Sequence, residues 1–120
     1  MCRSHFWGRN PLTIENILLL FIWIFILKFK KLRLGQIRLE REKNFIEIDY
    51  SIDKPFRNFG LGTYIVKKAL YKISRSSFFR NKVIIARVNK NNLASVSILK
   101  KLNFKEKKLN QNFVEFYLKY

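Results

Sequence analysis

The sequence has few residues that could form a disulfide or bind a transition metal. Among its 120 residues there is one cysteine, Cys2, and one histidine, His5. A single cysteine excludes an intrachain disulfide. One Cys and one His cannot form a structural zinc site without several carboxylates, and no carboxylates cluster near them. Disulfide-scaffold and zinc-finger proteins are therefore excluded, and we expect no metal.

Acidic residues are also scarce. Eight Asp and Glu residues stand against 25 Lys and Arg, which gives a formal net charge of +17. Such a charge attracts polyanions, including nucleic acid, anionic lipid and phosphorylated cofactors, without selecting one of them. Lys, Asn, Ile and Phe are abundant throughout, which indicates a general compositional bias. Because zinc spacings and basic runs with leucine heptads are absent, we expect no specific nucleic-acid partner.

Long hydrophobic runs are missing as well. Residues 17–27 are apolar and the run ends at Lys28, whereas a helix that crosses a bilayer needs about 20 apolar residues. The second half of the run is β-branched and aromatic, which is typical of a buried strand. We favour the strand and a cytoplasmic protein, with a membrane-associated helix as the alternative. Residues 12–20 are predicted to contain a helical segment that leads into this strand.

The middle of the chain alternates between apolar and polar side chains. Residues 45–52 place Glu47 and Asp49 on the polar side. A period of two predicts a strand with one apolar and one polar face. Two further strands are predicted over residues 21–29 and 34–40, and the short polar breaks between the strands predict antiparallel pairing.

The pattern then changes to spacings of three and four, which predict an amphipathic helix over Ile65, Val66, Ala69, Leu70 and Ile73. A continuous apolar run within residues 82–88 predicts a strand that pairs in parallel at the sheet centre. Asn92 is predicted to cap a second helix with Leu93, Val96, Leu99 and Leu102 on one face. Strands over residues 104–109 and 113–120 complete the order β-β-β-α-β-α-β-β, an α+β fold with a mixed, mostly antiparallel sheet.

Residues 57–62 (Arg-Asn-Phe-Gly-Leu-Gly) place two glycines where the third strand turns into the first helix. Glycine adopts positive φ and lets backbone N–H groups approach a ligand closely. The first N–H groups of a helix have no internal partner and lie at the positive end of its dipole. Arg57 adds a charged donor that matches phosphate geometry. The pattern predicts an anion site, although two glycines alone are more simply interpreted as a tight turn.

The order of elements around this loop resembles the GNAT acyltransferase superfamily. Residues 48–62 are similar to that family's coenzyme A segment. Residues 88–104 are similar to its V-x-x-x-N-x-x-S … K-x-G-F segment, with Asn103 where the family has Gly. The two matches fall in the right order and at the right junctions, and the resemblance covers residues 21–120.

The resemblance implies that acetyl-CoA is bound. The end of the third strand would diverge from the parallel strand beside it, and the pantetheine arm of the cofactor would enter the gap. The backbone of residues 51–52 would bond the arm, that of residues 57–63 would hold the pyrophosphate, and the second helix would contact the cofactor. The implied cofactor-binding residues are Ser51, Ile52, Arg57, Asn58, Phe59, Gly60, Leu61, Gly62, Thr63, Asn92 and Ser95.

The reaction implied by the resemblance is direct attack of a primary amine on the thioester, which requires a base and an oxyanion contact. Glu47 and Asp49 are the candidate general bases, and each is also explained as part of a solvated strand face or as a partner of Arg38. The family's acid is a Tyr in the second helix. Here that position is Leu99, which cannot protonate a thiolate, so cofactor binding is implied more firmly than transfer.

Residues 34–38 and 48–53 most resemble GNAT domains that acetylate nucleotide-linked amino sugars in pseudaminic-type acid pathways. The expected acceptor is therefore a small-molecule amine, with ribosomal-protein or peptide amines as an alternative. The family's fold begins with a strand and helices for which residues 1–20 are too few. We expect residues 1–20 to be a degenerate or truncated segment, and 21–120 to form the acyl-CoA-binding domain. A catalytically impaired fragment and a small basic protein that binds nucleic acid or membrane are the other interpretations.

Overall fold

The chain forms one mixed sheet with two helices in a computed structural model that describes residues 12–18, 22–77 and 82–119. The elements are β1 (Leu12–Leu18), β2 (Ile22–Phe29), β3 (Leu32–Arg41), β4 (Phe45–Ile52), α1 (Leu61–Ser74), β5 (Val83–Asn89), α2 (Leu93–Lys101), β6 (Lys105–Lys108) and β7 (Phe113–Leu118). The seven strands lie in the order β1-β2-β3-β4-β5-β7-β6. This architecture confirms the predicted fold class and adds one strand at its N-terminal edge.

Strands β2, β3 and β4 form the predicted antiparallel meander. The turns between them are short, so each strand returns beside the previous one. The chain then crosses over through α1, and β5 pairs with β4 in parallel, as its continuous apolar sequence predicted. Strand β7 inserts between β5 and β6, and it is antiparallel to both.

One face of the sheet carries the core. The even residues of β4, among them Ile46 and Ile48, point towards α1, and both are buried. Helix α1 covers them with the predicted apolar stripe, in which Ile65, Val66, Ala69 and Ile73 are buried. Burying an aliphatic side chain of this size contributes about 1.5–3 kcal/mol. The packing of α1 therefore fixes where its N-terminus lies relative to the end of β4.

The expected helical segment within residues 12–20 is wrong for its described part. Residues 12–18 form strand β1, which pairs in antiparallel register with β2 from Leu12↔Phe29 to Leu18↔Trp23. Pairing with a neighbouring strand overrides weak local helix propensity. Residues 19–20 lie outside the described residues, and whether residues 1–20 are degenerate or truncated stays a prediction.

The apolar run at residues 17–27 is settled in favour of a strand over its described part. Residues 22–27 belong to β2, where Phe25 and Leu27 are buried in the core. Throughout the described ranges, no helix has both the length and the apolarity needed to cross a bilayer.

Two other expectations need correction. Helix α1 begins at Leu61, so the second glycine of the loop, Gly62, lies within its first turn. The apolar face predicted for α2 is only partly buried: Leu99 is fully buried, whereas Leu93 is 74% exposed. Leu93 is the first residue of the helix and does not belong to the core cluster, which Val96, Leu99 and Leu102 reach.

Gly35 marks a point of close backbone contact between β3 and β4. A Cβ added at Gly35 would collide with the Ser51 carbonyl oxygen and would lie 2.9 Å from Ile52 Cδ1. Because the Ser51 carbonyl is backbone within a strand, it cannot turn away as a flexible side chain would. We expect Gly35→Ala to lower the free energy of unfolding by about 1–3 kcal/mol, measured by urea denaturation. Gln36→Ala, at the next and half-buried position, is the control and is expected to change it by less than about 0.5 kcal/mol.

Candidate active site

The parallel strands β4 and β5 diverge at their carboxyl ends. They pair at three positions, from Phe45↔Val83 to Glu47↔Ile85. Beyond Glu47 the described residues of β4 have no partner in β5, while β5 continues to pair with β7 as far as Asn89. The divergence predicted for this pair is confirmed. The opening between the strands is called the gap below.

The gap and the starts of both helices lie at one edge of the sheet. Helix α1 follows β4 and α2 follows β5. Because the two strands are parallel, their carboxyl ends meet at the same edge, and so do the N-termini of the helices that follow. Ligands of open α/β sheets bind in such crevices. The residues predicted from the loop and from the second helix are therefore brought together here.

The backbone of β4 presents alternate residues to the gap. Phe45 O accepts from Glu42 N–H at 2.8 Å, and Asp53 N–H donates to Leu34 O at 2.8 Å. Both groups therefore point to β3, and with a period of two the other odd residues of β4 do the same. The N–H and C=O groups of Tyr50 and Ile52 point the other way, towards the gap. The N–H and C=O groups of Ser51 point towards β3. This geometry supports Ile52 and not Ser51 as a backbone contact of the pantetheine arm.

The loop that follows β4 enters α1 through two left-handed residues. Asn58 has φ 69° and Gly60 has φ 79°, a region that glycine adopts freely and asparagine tolerates. Gly60 is the N-cap of α1, and its carbonyl accepts the first helical bond, from Tyr64 N–H at 3.1 Å. The N–H groups of Leu61, Gly62 and Thr63 precede that bond, and an α-helix leaves such groups without internal partners. This helix start can hold an anion.

Arg57 connects the loop to the strand. Its Nε–H donates to Ile52 O at 2.9 Å, so the guanidinium is anchored at the mouth of the gap. The two terminal amino groups of an anchored guanidinium are still donors, and the side chain is exposed. The arrangement places a positive charge beside the start of α1. Between Arg57 and the helix, Phe59 is 74% exposed at the tip of the loop.

Asn92 begins the other helix at the gap. Its Oδ1 accepts from Ser95 N–H at 3.2 Å, so the predicted N-cap is confirmed. The cap uses one lone pair of the carbonyl oxygen, and the side-chain NH₂ group is left to donate to a cofactor. The second segment also ends as predicted, with Asn103 in the left-handed region at φ 71°.

The cap leads to a stability prediction. Asn92→Ala removes the acceptor of Ser95 N–H and is expected to lower the free energy of unfolding by about 1 kcal/mol. Asn92→Asp keeps an acceptor at the helix N-terminus, where a negative charge is favourable, and is expected to retain the stability. Thermal unfolding of the two variants checks the prediction. Unchanged stability in Asn92→Ala would show that the cap contributes nothing, and an equal loss in Asn92→Asp would show that the side-chain acceptor is not the cause.

The two candidate bases lie on the face of the sheet opposite the helices. Asp49 is 71% exposed and pairs with Arg38 across the strands at 3.7 Å. Glu47 pairs instead with Arg87 at 3.4 Å. The expected pairing of Glu47 with Arg38 is therefore wrong. Glu47 is also the last β4 residue paired with β5, which places it at the closed end of the gap.

Arg87 was not singled out from the sequence. Its Nε donates to Glu115 at 3.2 Å, and its guanidinium lies 5.6 Å from the centroid of the Phe45 ring. The contact with Glu47 thus belongs to a small cluster that spans β4, β5 and β7. Strands β5 and β7 are distant in the sequence and become neighbours only in the folded sheet. No local sequence signal could therefore have found this cluster.

Two further side chains lie on the helix side of the sheet. Leu99, at the position where the resemblance places an acid, is fully buried in the core. Tyr50 projects towards the same side. Burial raises the pKa of its phenol above the ordinary value, and the neighbouring Ser95 opposes this rise. Tyr50 was also missed from the sequence, because an aromatic residue in a strand is ordinarily a packing residue.

These features define a class of protein. A parallel pair that opens at its carboxyl ends, with an anion-binding helix start at the opening, is the architecture of a domain that holds a phosphorylated carrier. Residues 4–105 match the acetyltransferase (GNAT) domain, and the chain belongs to that family. The resemblance to the GNAT family noted from the sequence is confirmed.

Solved structures show the same fold. A Bacillus subtilis acetyltransferase in complex with CoA is 12% identical with a TM-score of 0.78, and the match covers 91% of this chain and 99% of that one. The N-acetyltransferase PseH of Campylobacter jejuni is 21% identical with a TM-score of 0.65, covering 82% and 67%. RimL, a ribosomal L7/L12 α-N-protein acetyltransferase in complex with coenzyme A, is 11% identical with a TM-score of 0.72, covering 82% and 62%. No curated protein matches the chain by sequence.

The chain therefore spans less than two thirds of RimL, about two thirds of PseH and nearly all of the Bacillus protein. At these identities the likeness establishes the fold and nothing further.

Proposed function

We propose that the protein is an N-acetyltransferase that transfers an acetyl group from acetyl-CoA to a primary amine. The observation that carries the proposal is the gap between β4 and β5, which opens directly beside the unpaired N–H groups at the start of α1. In a member of the acetyltransferase (GNAT) domain family, this is where a phosphorylated thioester carrier fits. Relatives of the same fold were solved in complex with coenzyme A or acetyl-CoA.

The residues present fit that carrier. The pyrophosphate would be held by the N–H groups of Leu61, Gly62 and Thr63, with the amino groups of Arg57 beside them. An anion at such a position gains about 0.3–2 kcal/mol from the helix dipole in addition to its hydrogen bonds. The peptide groups of Tyr50 and Ile52 line the gap, where the arm would lie. The roles of Asn58, Phe59 and Gly60 are to shape the loop, and Asn92 would contribute its NH₂ group.

Acetyl-CoA supplies an activated thioester, and the chain supplies position and a route for protons. The amine must lose a proton around the attack on the carbonyl carbon. The C–N bond forms, the C–S bond breaks, and the thiolate leaves with the electron pair. Glu47 is the better placed of the two candidate bases, because it lies at the closed end of the gap whereas Asp49 is largely exposed. Leu99 offers no proton to the thiolate, so water is the proposed source.

For the acceptor, we propose a small-molecule amine, in the first instance an amino sugar linked to a nucleotide. The support is the likeness of residues 34–38 and 48–53 to such enzymes, together with the match to PseH at 21% identity. A net charge of +17 suits an anionic substrate. A peptide α-amine is the alternative, for which the match to RimL is the support. A cytoplasmic location stays a prediction.

An acetylation screen tests the proposal. The purified protein is incubated with acetyl-CoA and one acceptor at a time, drawn from nucleotide-linked amino sugars, free amino sugars, polyamines and peptides, and the released thiol is measured. We expect acceptor-dependent release that is lost in Gly60→Val. A folded protein that binds acetyl-CoA but acetylates none of these acceptors would contradict the transferase assignment and would favour a catalytically impaired fragment.

The charge also supports a second candidate, a basic protein that binds polyanions without chemistry. Binding of that kind depends steeply on salt and is indifferent to coenzyme A. Titration with heparin at two salt concentrations, with and without acetyl-CoA, separates the two candidates. Competition by acetyl-CoA at one site supports the transferase.

A further inference from the structure

Tyr50 carries a buried hydroxyl that the proposed reaction leaves unused. Its Oη has no hydrogen-bond partner among the residues that the structure describes. Buried polar groups in folded proteins almost always have a partner, and the rare exception calls for an explanation. A strand residue whose only role was packing could be Phe at this position without leaving a hydroxyl unpaired. The hydroxyl therefore indicates a partner that the described residues do not provide.

The hydroxyl lies between the two helix starts. Tyr50 is an even residue of β4, so its side chain projects to the helix side of the sheet, where it packs against the core. Ring atom Cε2 is 3.9 Å from the position that a Cβ would take at Gly62, in the first turn of α1. Ser95, in the first turn of α2, is close enough to affect the phenol. One end of the side chain thus faces both elements that border the gap.

Two of the acceptors that border the gap already accept a hydrogen bond from the protein. Among the β4 residues whose N–H and C=O groups face the gap, Ile52 has a carbonyl that already accepts from Arg57 Nε at 2.9 Å. Asn92 has its side-chain oxygen occupied by Ser95 N–H. A ligand with amide groups that enters the gap can therefore bond side-chain partners as well as the remaining backbone groups. The hydroxyls of Tyr50 and Ser95 are both donors and acceptors, so they can bond an amide N–H or an amide carbonyl.

We propose that Tyr50 Oη, together with the Ser95 hydroxyl, binds an amide of the pantetheine arm and positions the arm in the gap. The inference rests on the proposed function, because it assumes that coenzyme A occupies the gap. It assigns to Tyr50 a role in cofactor binding and not in proton transfer. A phenol is protonated at neutral pH, and burial raises the pKa of this one further, so it is a neutral donor at the pH of an assay.

The test compares two ligands that differ only in the arm. Coenzyme A carries it, whereas 3′-phosphoadenosine 5′-diphosphate ends at the pyrophosphate. For Tyr50→Phe we expect the Kd for coenzyme A to rise about 3- to 10-fold, the effect of one net hydrogen bond. The Kd for the diphosphate is expected to stay within about 2-fold, because the loop at α1 is unchanged. Ser95→Ala should show the same selective loss, and calorimetry measures both constants for the wild type and for each variant.

Tyr64→Phe is the matched control, since it removes a phenol hydroxyl from α1 outside the gap. It should leave both constants unchanged. Tyr50→Phe deletes only an unpaired hydroxyl, so it should fold at least as stably as the wild type, which thermal unfolding checks. Equal affinity of wild type and Tyr50→Phe for coenzyme A would overturn the inference while leaving the proposed function intact. An equal loss of affinity for coenzyme A and for the diphosphate in Tyr50→Phe would do the same. If wild-type protein binds neither ligand, the proposed function fails and the inference fails with it.

Discussion

Replacing Gly60 by valine is expected to weaken coenzyme A binding at least about 10-fold. Gly60 has φ 79° at the N-cap of α1, and the left-handed region costs an L-residue roughly 1–2 kcal/mol, more for a β-branched one. Apart from the adjoining residues, no atom of the described chain lies within 4 Å of a Cβ added at this position, so the penalty comes from the backbone and not from a clash. The loop would relax to negative φ and turn its N–H groups away from the pyrophosphate.

The matched control for this prediction is Gly60→Asn. Asparagine is similar in size to valine but tolerates the left-handed region, as Asn58 and Asn103 do in this chain. It should therefore retain most of the affinity. Calorimetry gives the two dissociation constants, and thermal unfolding reports any loss of fold. If the valine and asparagine variants bind equally well, the conformation of Gly60 does not matter for the site.

Leu99→Ala is expected to cost about 2–5 kcal/mol in the free energy of unfolding, the range for truncating a buried leucine. The Leu99 side chain is fully buried, and it packs within the core cluster that joins both helices to the sheet. Leu93→Ala is the control on the same helix, because that leucine is 74% exposed. A change within about 0.5 kcal/mol is expected there. Urea denaturation of both variants measures the difference.

The result bears on chemistry as well as stability. If Leu99 is a core residue, the position that holds the family's acid belongs to the interior and not to the gap. Leu99→Tyr would then overpack the core at a cost of about 1–3 kcal/mol and would not restore an acid. Equal and small losses for Leu99→Ala and Leu93→Ala would show that Leu99 does not pack in the core.

The elements with a clear periodicity could be predicted from the sequence. Strict alternation defined β4 at its observed bounds, and spacings of three and four identified the buried face of α1. β1 was missed because its character depends on pairing with β2, a contact that local propensity does not encode. The start of α1 was placed too late, because a glycine in the first turn of a helix looks like part of a loop.

The candidate site divides in the same way. The loop at Arg57 and the cap at Asn92 were predicted, because glycine spacing and capping residues are local signals. The partner of Glu47, the orientation of the Ser51 peptide and the orphan hydroxyl of Tyr50 were not. Each depends on which strand lies beside β4 and on which side, and that is a property of the sheet. Their roles in binding and catalysis stay predictions.

The most direct test of the central claim is calorimetric titration of the wild-type protein with coenzyme A at moderate salt. The claim is that the start of α1 and the gap beside it form a specific site. It predicts saturable binding of one coenzyme A per chain. This binding is weakened at least about 10-fold in Gly60→Val, and in the wild type it persists at a salt concentration that abolishes non-specific binding. Folded protein that binds no coenzyme A, or that binds it with the same affinity in Gly60→Val, would contradict the account.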